Sequence, residues 1–336
     1  MSHVLIIAEA GVNHNGSLGL ALKLVDAAKE SGADAVKFQT FRADRLATRT
    51  ARKAAYQERT TENSESQFEM LKRLELDASG HRHLMDHCRK IGIQFLSSPF
   101  DMESTDLLAA MDLPVYKVPS GEITNFPFLE HVASKGRPII LSTGMSTLGE
   151  VEEAVSALRA AGASQLTLLH CVTEYPAPYA EVNLRAMLTL KSAFGLPVGY
   201  SDHTPGIEIS IAAVALGAEV IEKHFTLDRT LPGPDHAASL EPSELKQMVD
   251  AIRHVEVALG TGIKAPAPCE IPNMSVARKS VVASHALRAG HQLTVSDMDI
   301  KRPGNGLAPK LLPALVGRTL RTEIEKDEVI HWDHLA

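Results

Sequence analysis

The feature that most constrains this chain is a rhythm. From the N-terminus to about residue 260, short apolar runs alternate with stretches of helical pattern. The first run is Val4-Leu5-Ile6-Ile7-Ala8. A helical pattern follows from Leu18 to Ser31, with Leu20, Leu24, Ala27 and Ala28 on one face and Gly32 as its stop. Further runs are Ala35 to Phe38, Ile93 to Leu96, Val115 to Val118, Pro138 to Leu141, Leu166 to Leu169, Pro197 to Gly199 and Glu219 to Ile221. The helical stretches between and after them include Leu148 to Ala161, Ile207 to Leu216 and Pro242 to Leu259. Continuous apolar runs suit strands covered on both faces, as in a parallel sheet flanked by helices. Eight strand–helix units in this length predict a (β/α)₈ TIM barrel rather than an open sheet. The region from Arg42 to Gln67 is polar with no clean period, and reads as a long, functional loop after the second strand.

The pattern changes after Gly260. Thr261 to Pro272 contains Gly262, Pro266, Pro268 and Pro272. The expected organisation is a catalytic barrel over 1–260, a linker over 261–275 and a small, mostly irregular β unit over 276–336. That last unit has little helical signal, with β-like runs at Ser280 to Ser284 and Leu293 to Val295 and a turn at Gly290. Units of about 60 residues are marginal alone, and this one has little apolar content for a core of its own.

Charge narrows the function. With 34 Lys+Arg against 41 Asp+Glu, the formal charge is −7. That argues against a nucleic-acid or membrane-surface binder, which needs a cationic footprint, but leaves room for a local anion pocket. The three cysteines, Cys88, Cys171 and Cys269, form no disulfide framework or metal pattern, which fits a reducing compartment. Met1 to Ala10 carries no cationic leader, and no stretch is long and apolar enough to span a membrane, so a cytoplasmic location is expected.

Barrel chemistry sits at the C-terminal strand ends, and here polar residues follow that rule from strand to strand: Glu9; Lys37 and Gln39; Ser97 and Ser98; Lys117, Ser120 and Glu122; Ser142 and Thr143; His170 and Thr173; Ser201, Asp202 and His203; Glu222 and His224. Any one of these could be a strand-end cap; eight strands in register point to one shared face. Lys37 and Lys117 lie inside otherwise apolar strands, where a charge needs a partner. They either pair with Glu9 or Glu222, or form a phosphate or carboxylate site with the hydroxyls of Ser98, Ser120 and Ser201. His203 and His224 end adjacent strands and could share a divalent cation in an open site, with Asp235 on the following loop able to help. Glu122 is either a general base beside the anion site or a partner of one of the lysines.

These segments also carry a resemblance. Ile7-Ala8-Glu9-Ala10-Gly11-Val12-Asn13-His14-Asn15-Gly16, Val36 to Thr40, Tyr116 to Glu122, Leu141-Ser142-Thr143-Gly144-Met145, Tyr200 to Thr204 and Glu222 to Thr226 resemble the bacterial sialic acid synthase family. The tail, through Arg278 to Ala283 and Lys301 to Gly306, resembles that family's antifreeze-like SAF domain. The resemblance implies condensation of phosphoenolpyruvate (PEP) with an N-acyl amino-sugar aldehyde, giving a nine-carbon 2-keto acid and phosphate by C–O cleavage. By the same resemblance, Lys37, Ser98, Lys117, Ser120, Thr173 and Ser201 would hold PEP. His203 and His224 would bind Mn²⁺, with Mg²⁺ or Co²⁺ as alternatives. Glu9, Gln39, Tyr175 and Asp235 would approach the acceptor or the metal, and Glu122 would orient water. Arg302 would touch the acceptor's N-acyl group from the partner's tail in a domain-swapped homodimer. Thr173, Lys53 to Gln57, Glu222 to Phe225 and Pro234 to Leu240 look closer to the legionaminate-making branch, whose acceptor is a 2,4-diacetamido-6-deoxy sugar, than to N-acetylneuraminate synthases. Pseudaminate synthesis, a barrel aldolase using Lys117 as a Schiff-base lysine, and a binding protein built on the tail are the competing readings.

Overall fold

The structure, a computed structural model, describes residues 3–61 and 65–336. The chain divides into two units, Met1–Thr261 and Gly262–Ala336. The first contains eight parallel strands: β1 (Leu5–Gly11), β2 (Ala35–Thr40), β3 (Gln94–Pro99), β4 (Tyr116–Val118), β5 (Ile139–Ser142), β6 (Leu166–Cys171), β7 (Val198–Asp202) and β8 (Val220–His224). They are ordered β3-β2-β1-β8-β7-β6-β5-β4, with β1 bonded to both β2 and β8. The end strands β3 and β4 pack side by side, so the sheet curls into a near-barrel. The predicted TIM-like fold is what the chain adopts.

Helices cover the outside. Leu18–Glu30 starts at Ser17, whose hydroxyl accepts from Leu20 N, and it buries Ala21, Leu24, Val25 and Ala28. Leu148–Ala160 opens on a reciprocal pair between Thr147 and Glu150. Pro242–Leu259 has its proline in the first turn, where no N–H is missed.

Alternation along each strand separates the two faces. Ile6, Ala8, Phe38, Tyr116, Val118, Tyr200 and Ile221 point outward to the helices. Ile7, Ala35, Leu96, Ile140, Leu169 and Val220 point inward and pack into an apolar floor. Two residues further along each strand, the inward positions turn polar: Glu9, Lys37, Ser98, Ser142 and Glu222, with Cys171 on β6. One sequence step therefore decides whether a polar residue is structural or faces the barrel mouth.

Asp202 and Lys223 occupy outward positions and are fully buried together. Lys223 Nζ lies 2.9 Å from Asp202 Oδ2 and donates to Thr204 O at 2.5 Å. Asp202 also accepts from Thr204 N, Thr204 Oγ1 and Ser210 Oγ. This cluster fixes the turn in which His203 sits.

Two sequence expectations change here. The supposed loop from Arg42 to Gln67 contains helices Ala43–Leu46 and Ala55–Thr60, and Gln67–Leu74 follows. The first two are too short to show a helical period. The supposed linker over 261–275 contains a 3₁₀ turn, Pro268–Glu270, and most of the helix Ile271–Ala277, which has Pro272 in its first turn.

The second unit pairs β9 (Ser280–Ala283) antiparallel with β10 (Met298–Lys301). The run Leu293 to Val295 is not a strand; a 3₁₀ turn, Val295–Asp297, leads into β10 instead. Nor does this unit lack a core: Val281, Leu287, Leu293, Met298, Leu307, Leu315, Leu320, Ile324 and Ile330 are buried together. Single bridges such as Leu287↔Ile324 and Leu320↔Leu335 assemble that core from residues far apart in sequence, which hides it from local pattern.

Lys223→Met is expected to destabilise the barrel by about 3–5 kcal/mol, because it leaves the Asp202 carboxylate buried without its counter-charge. Denaturant unfolding checks this; a change under about 1 kcal/mol would show that the pair contributes little.

Candidate active site

A cavity of about 340 Å³ opens among the C-terminal strand ends of the first unit. Its base is a chain of buried charges. Lys37 Nζ lies 2.6 Å from Glu9 Oε2 and 3.7 Å from Glu222 Oε2, and Lys117 Nζ lies 3.0 Å from Glu222 Oε1. Lys37 also donates to Ser98 Oγ, Ser201 Oγ donates to Glu222 Oε1, and Gln39 Nε2 donates to Glu9 Oε1. Both lysines thus make the ion pairs expected of them, and both face the cavity with the hydroxyls expected of an anion site.

The two carboxylates differ. Burial opposes ionisation of Glu222, but Lys117 and Lys37 override it and hold the carboxyl well below the usual range. Glu9 has Lys37 as its main counter-charge and Glu222 as a like charge, so burial dominates and pushes it up to about 7. Burial by itself would discharge Lys37; the two glutamates outweigh it and raise its pKa. The cluster therefore keeps a strongly held anion, Glu222, and a carboxyl poised near neutrality, Glu9.

On the β4–β6 side the wall is hydroxyl-rich. Ser120 Oγ accepts from Gly144 N at 2.9 Å and lies 3.1 Å from Cys171 Sγ. Ser142 Oγ and Thr173 Oγ1 are buried without a hydrogen-bond partner among the described residues. Gly144 makes this space: a methyl there would overlap Thr173 Oγ1 and come within 2.8 Å of Cys171 Sγ and 2.9 Å of Ser120 Oγ. Over β1–β3 the wall is apolar, with Val12, Leu46, Met70, Leu71, Leu74 and Phe100.

Between these walls the rings of His203 and His224 lie 5.5 Å apart, with Tyr175 4.2 Å from His203 and 5.5 Å from His224. Burial lowers the pKa of His203 to about 4 and also holds that of His224 well below its ordinary value, helped there by His203 itself. Both imidazoles are therefore neutral at pH 7. The ring contact of His203 Nδ1 with Val172 O, at 2.6 Å, requires the proton on Nδ1 and leaves Nε2 with its lone pair. His224 Nδ1 is buried without a hydrogen bond, with Asp235 Oδ2 3.7 Å away. Among the described residues no group of three or more His, Cys, Asp or Glu gathers closely enough to hold a metal alone. What the site offers a cation is two neutral imidazoles on adjacent strand ends, with Asp235 Oδ2 3.7 Å from His224 Nδ1.

Asp235, its pKa raised by burial to about 6, borders Gly11, as Glu9 and Gln39 do. A Cβ on Gly11 would sit 3.1 Å from Glu9 Oε1, 3.3 Å from Gln39 Nε2 and 3.6 Å from Asp235 Oδ2, and its φ of +48° disfavours side chains.

Of the residues of this unit given site roles, all but Glu122 line the cavity; Ser97, Thr143, His170 and Asp202, also named at the strand ends, do not. Glu122 is outside the lining: it sits in the 3₁₀ turn Ser120–Glu122 and accepts from Asn125 Nδ2 at 2.7 Å, pairing with neither lysine. Arg302 belongs to the second unit, where its Nε donates to Ala277 O. Conversely, Tyr56, whose ring lies 4.9 Å from Tyr175, together with Cys171 and Leu71, lines the cavity without having been marked. Cys171 sits on the inward alternation of β6, a signal that could have found it. Tyr56 and Leu71 come from helices with too few turns to announce themselves.

Comparison with known proteins decides the family. The NeuB family model matches residues 24–264. The chain belongs to the NeuB family. A SAF domain model matches residues 278–336 of this NeuB-family chain. It is 52% identical over 332 residues to an N,N'-diacetyllegionaminic acid synthase of Campylobacter jejuni, covering 98% of this chain and 99% of the relative. It is 48% identical to an N,N'-diacetyllegionaminic acid synthase of Legionella pneumophila, covering 98% of this chain and 94% of the relative. The solved N-acetylneuraminic acid synthetase of Leptospira borgpetersenii superposes with a TM-score of 0.72 at 38% identity, over 81% of this chain and 90% of that one.

Lys117→Met is expected to weaken PEP binding by about 1.5–3 kcal/mol, the value of a lost charge-assisted contact. Calorimetric titration with PEP measures it; unchanged affinity with a lowered unfolding midpoint would assign Lys117 to folding instead.

Proposed function

We propose that this NeuB-family chain condenses PEP with an N-acyl amino-sugar aldehyde to form a nine-carbon 2-keto acid and inorganic phosphate. The observation that carries this reading is the pairing of Lys37 and Lys117 with a wall of hydroxyls, two of them buried and unpartnered, beside two neutral histidines. That set suits a phosphorylated three-carbon anion on one side and a polarisable carbonyl on the other.

PEP would lie along Lys37, Ser98, Lys117, Ser120, Thr173 and Ser201. The π electrons of its C2–C3 double bond form the new bond from C3 to the aldehyde carbon, and the aldehyde oxygen gains a proton. Water then adds at C2 and gives up a proton. The C2–O bond to phosphate breaks as the ketone forms. Glu9, which lines the cavity, suits the proton transfers better than Glu122, which lies outside it and is bonded to Asn125. His203 and His224 would hold a divalent ion, manganese first and magnesium or cobalt next. The chemistry such an ion supplies is Lewis-acid polarisation of the aldehyde oxygen.

Gln39, Tyr175 and Asp235 would face the acceptor. The wall of Leu46, Met70, Leu71 and Leu74 favours an acceptor that presents a methyl group rather than a hydroxymethyl or a phosphate. That supports 2,4-diacetamido-2,4,6-trideoxymannose over N-acetylmannosamine, in line with the legionaminic acid synthases among the relatives. An aldolase is a weaker reading, since Lys117 is ion-paired with Glu222 and is not the free amine that Schiff-base chemistry uses. A homodimer in which the second unit brings Arg302 to the partner's barrel also belongs to this proposal. So does a cytoplasmic location, supported by three free cysteines; no helix among the described residues is long and apolar enough to cross a membrane.

Mass spectrometry of products from PEP with N-acetylmannosamine, the diacetamido trideoxymannose and its altrose isomer tests the reading. The expected outcome is a nine-carbon keto acid, formed fastest from the trideoxymannose; no product from any of the three overturns it. Removing divalent ions with EDTA should abolish turnover and manganese should restore it, whereas His203→Ala should not respond to manganese. Full activity after EDTA treatment would remove the metal from the account.

A further inference from the structure

The residues that line the cavity do not explain how the loop after β8 is held, and Asp235 depends on that loop. The loop leaves the barrel at His224 and returns at Leu240, where Leu240 N donates to His224 O and Thr226 N donates to Leu240 O. Inside the loop, Thr226 Oγ1 and His236 Nδ1 lie 2.6 Å apart and Arg229 Nε donates to Ser239 O, bonds that close the loop on itself without tying it to β1. Asn13, two residues past the end of β1, is 2% exposed and is not part of the cavity wall. Its Nδ2 donates to Phe225 O at 2.8 Å and to Ser239 Oγ at 2.9 Å. Ser239 Oγ passes the link on, donating to Asp235 O at 2.7 Å. One buried amide thus ties the outgoing and returning ends of the loop to β1, the strand that carries Glu9. Asn15 adds a tether at the tip through Pro232 O.

We propose that Asn13 is a positioning residue, which through Ser239 fixes where the Asp235 carboxylate sits beside Gly11, the glycine that Glu9 and Gln39 also border. This rests on the proposed acceptor-facing role of Asp235. The chemistry of the amide matters more than its volume. Phe225 O can only accept, so Asn13→Asp keeps the shape but sets an acceptor against an acceptor. Asn13→Ser shortens the side chain and releases both ends of the loop. Ser239→Ala removes the link to Asp235 O together with the bond from Asn13 Nδ2, and leaves Asn13 its bond to Phe225 O.

Steady-state kinetics of the full-length chain, with PEP and its best acceptor, tests the proposal. Each of the three variants should raise the KM for the acceptor about tenfold, the equivalent of one hydrogen bond of ordinary strength. The KM for PEP should stay within about twofold of wild type. Adding Asn13→Ser to Asp235→Ala should cost nothing further, because both act through one carboxylate. Equal rises in the two KM values, or additive losses in the double variant, would overturn the proposal. If the Asn13 variants do not fold, Ser239→Ala carries the same test. Hydrogen exchange over residues 226–239 reads the clamp without any turnover. Asn13→Ser and Ser239→Ala should speed exchange there, and unchanged exchange overturns the clamp even if PEP proves not to be the substrate. Speeded exchange in a wild-type background that forms no product would instead keep the clamp and remove the reaction.

Discussion

Burying Lys37 and Lys117 inside a barrel costs several kcal/mol per charge unless each charge is answered nearby. Glu9 and Glu222 answer them, and much of the site follows from that requirement. The four groups must occupy inward positions on β1, β2, β4 and β8, one step above the apolar floor. The register supports this: Glu9 lies opposite Lys37 across β1 and β2, and Ser201 lies opposite Glu222 across β7 and β8. Burial raises the pKa of Glu9 to about 7 against the pull of Lys37, and the like charge of Glu222 adds to the rise. The buried cluster thus holds two lysines beside one firmly ionised carboxylate, Glu222, and one whose ionisation burial opposes, Glu9.

The outer face of the same strands is equally constrained. Lys223 and Asp202 lie one residue from Glu222 and His203, yet they point into the helical layer and fix the turn after β7. The loops then complete the site. Segments after β2 bring the apolar wall, the turn after β6 brings Thr173 and Tyr175, and the loop after β8 brings Asp235. Gly11 and Gly144 keep clear the two places where side chains from different strands converge. Positive charge, hydroxyls and imidazoles are thus arranged around one cavity, the arrangement on which the proposed reaction rests.

The barrel was legible because each strand is a continuous apolar run ending in a polar residue, and eight such ends can meet only on one face. Lys37, Lys117, His203 and His224 were legible for the same reason. Glu222 stood out as a partner for lysine, but its service to both could not be read from one strand. Glu122 misled, since its neighbours Lys117 and Ser120 face the cavity while the 3₁₀ turn carries its own carboxylate to Asn125. The wall residues Leu46 and Leu71 lay in segments where helices of one or two turns leave no period. The core of the second unit was hidden because isolated bridges, not long strands, bring its residues together.

The central claim is that phosphate leaves with the oxygen that joined it to carbon 2 of PEP. PEP labelled with ¹⁸O at the bridging position, incubated with the protein, a divalent ion and the diacetamido trideoxymannose, tests it most directly. The account predicts that the label appears in inorganic phosphate, seen by mass spectrometry, and is absent from the keto acid. Label retained in the keto acid would mean cleavage of the P–O bond, and would contradict the chemistry assigned to this site.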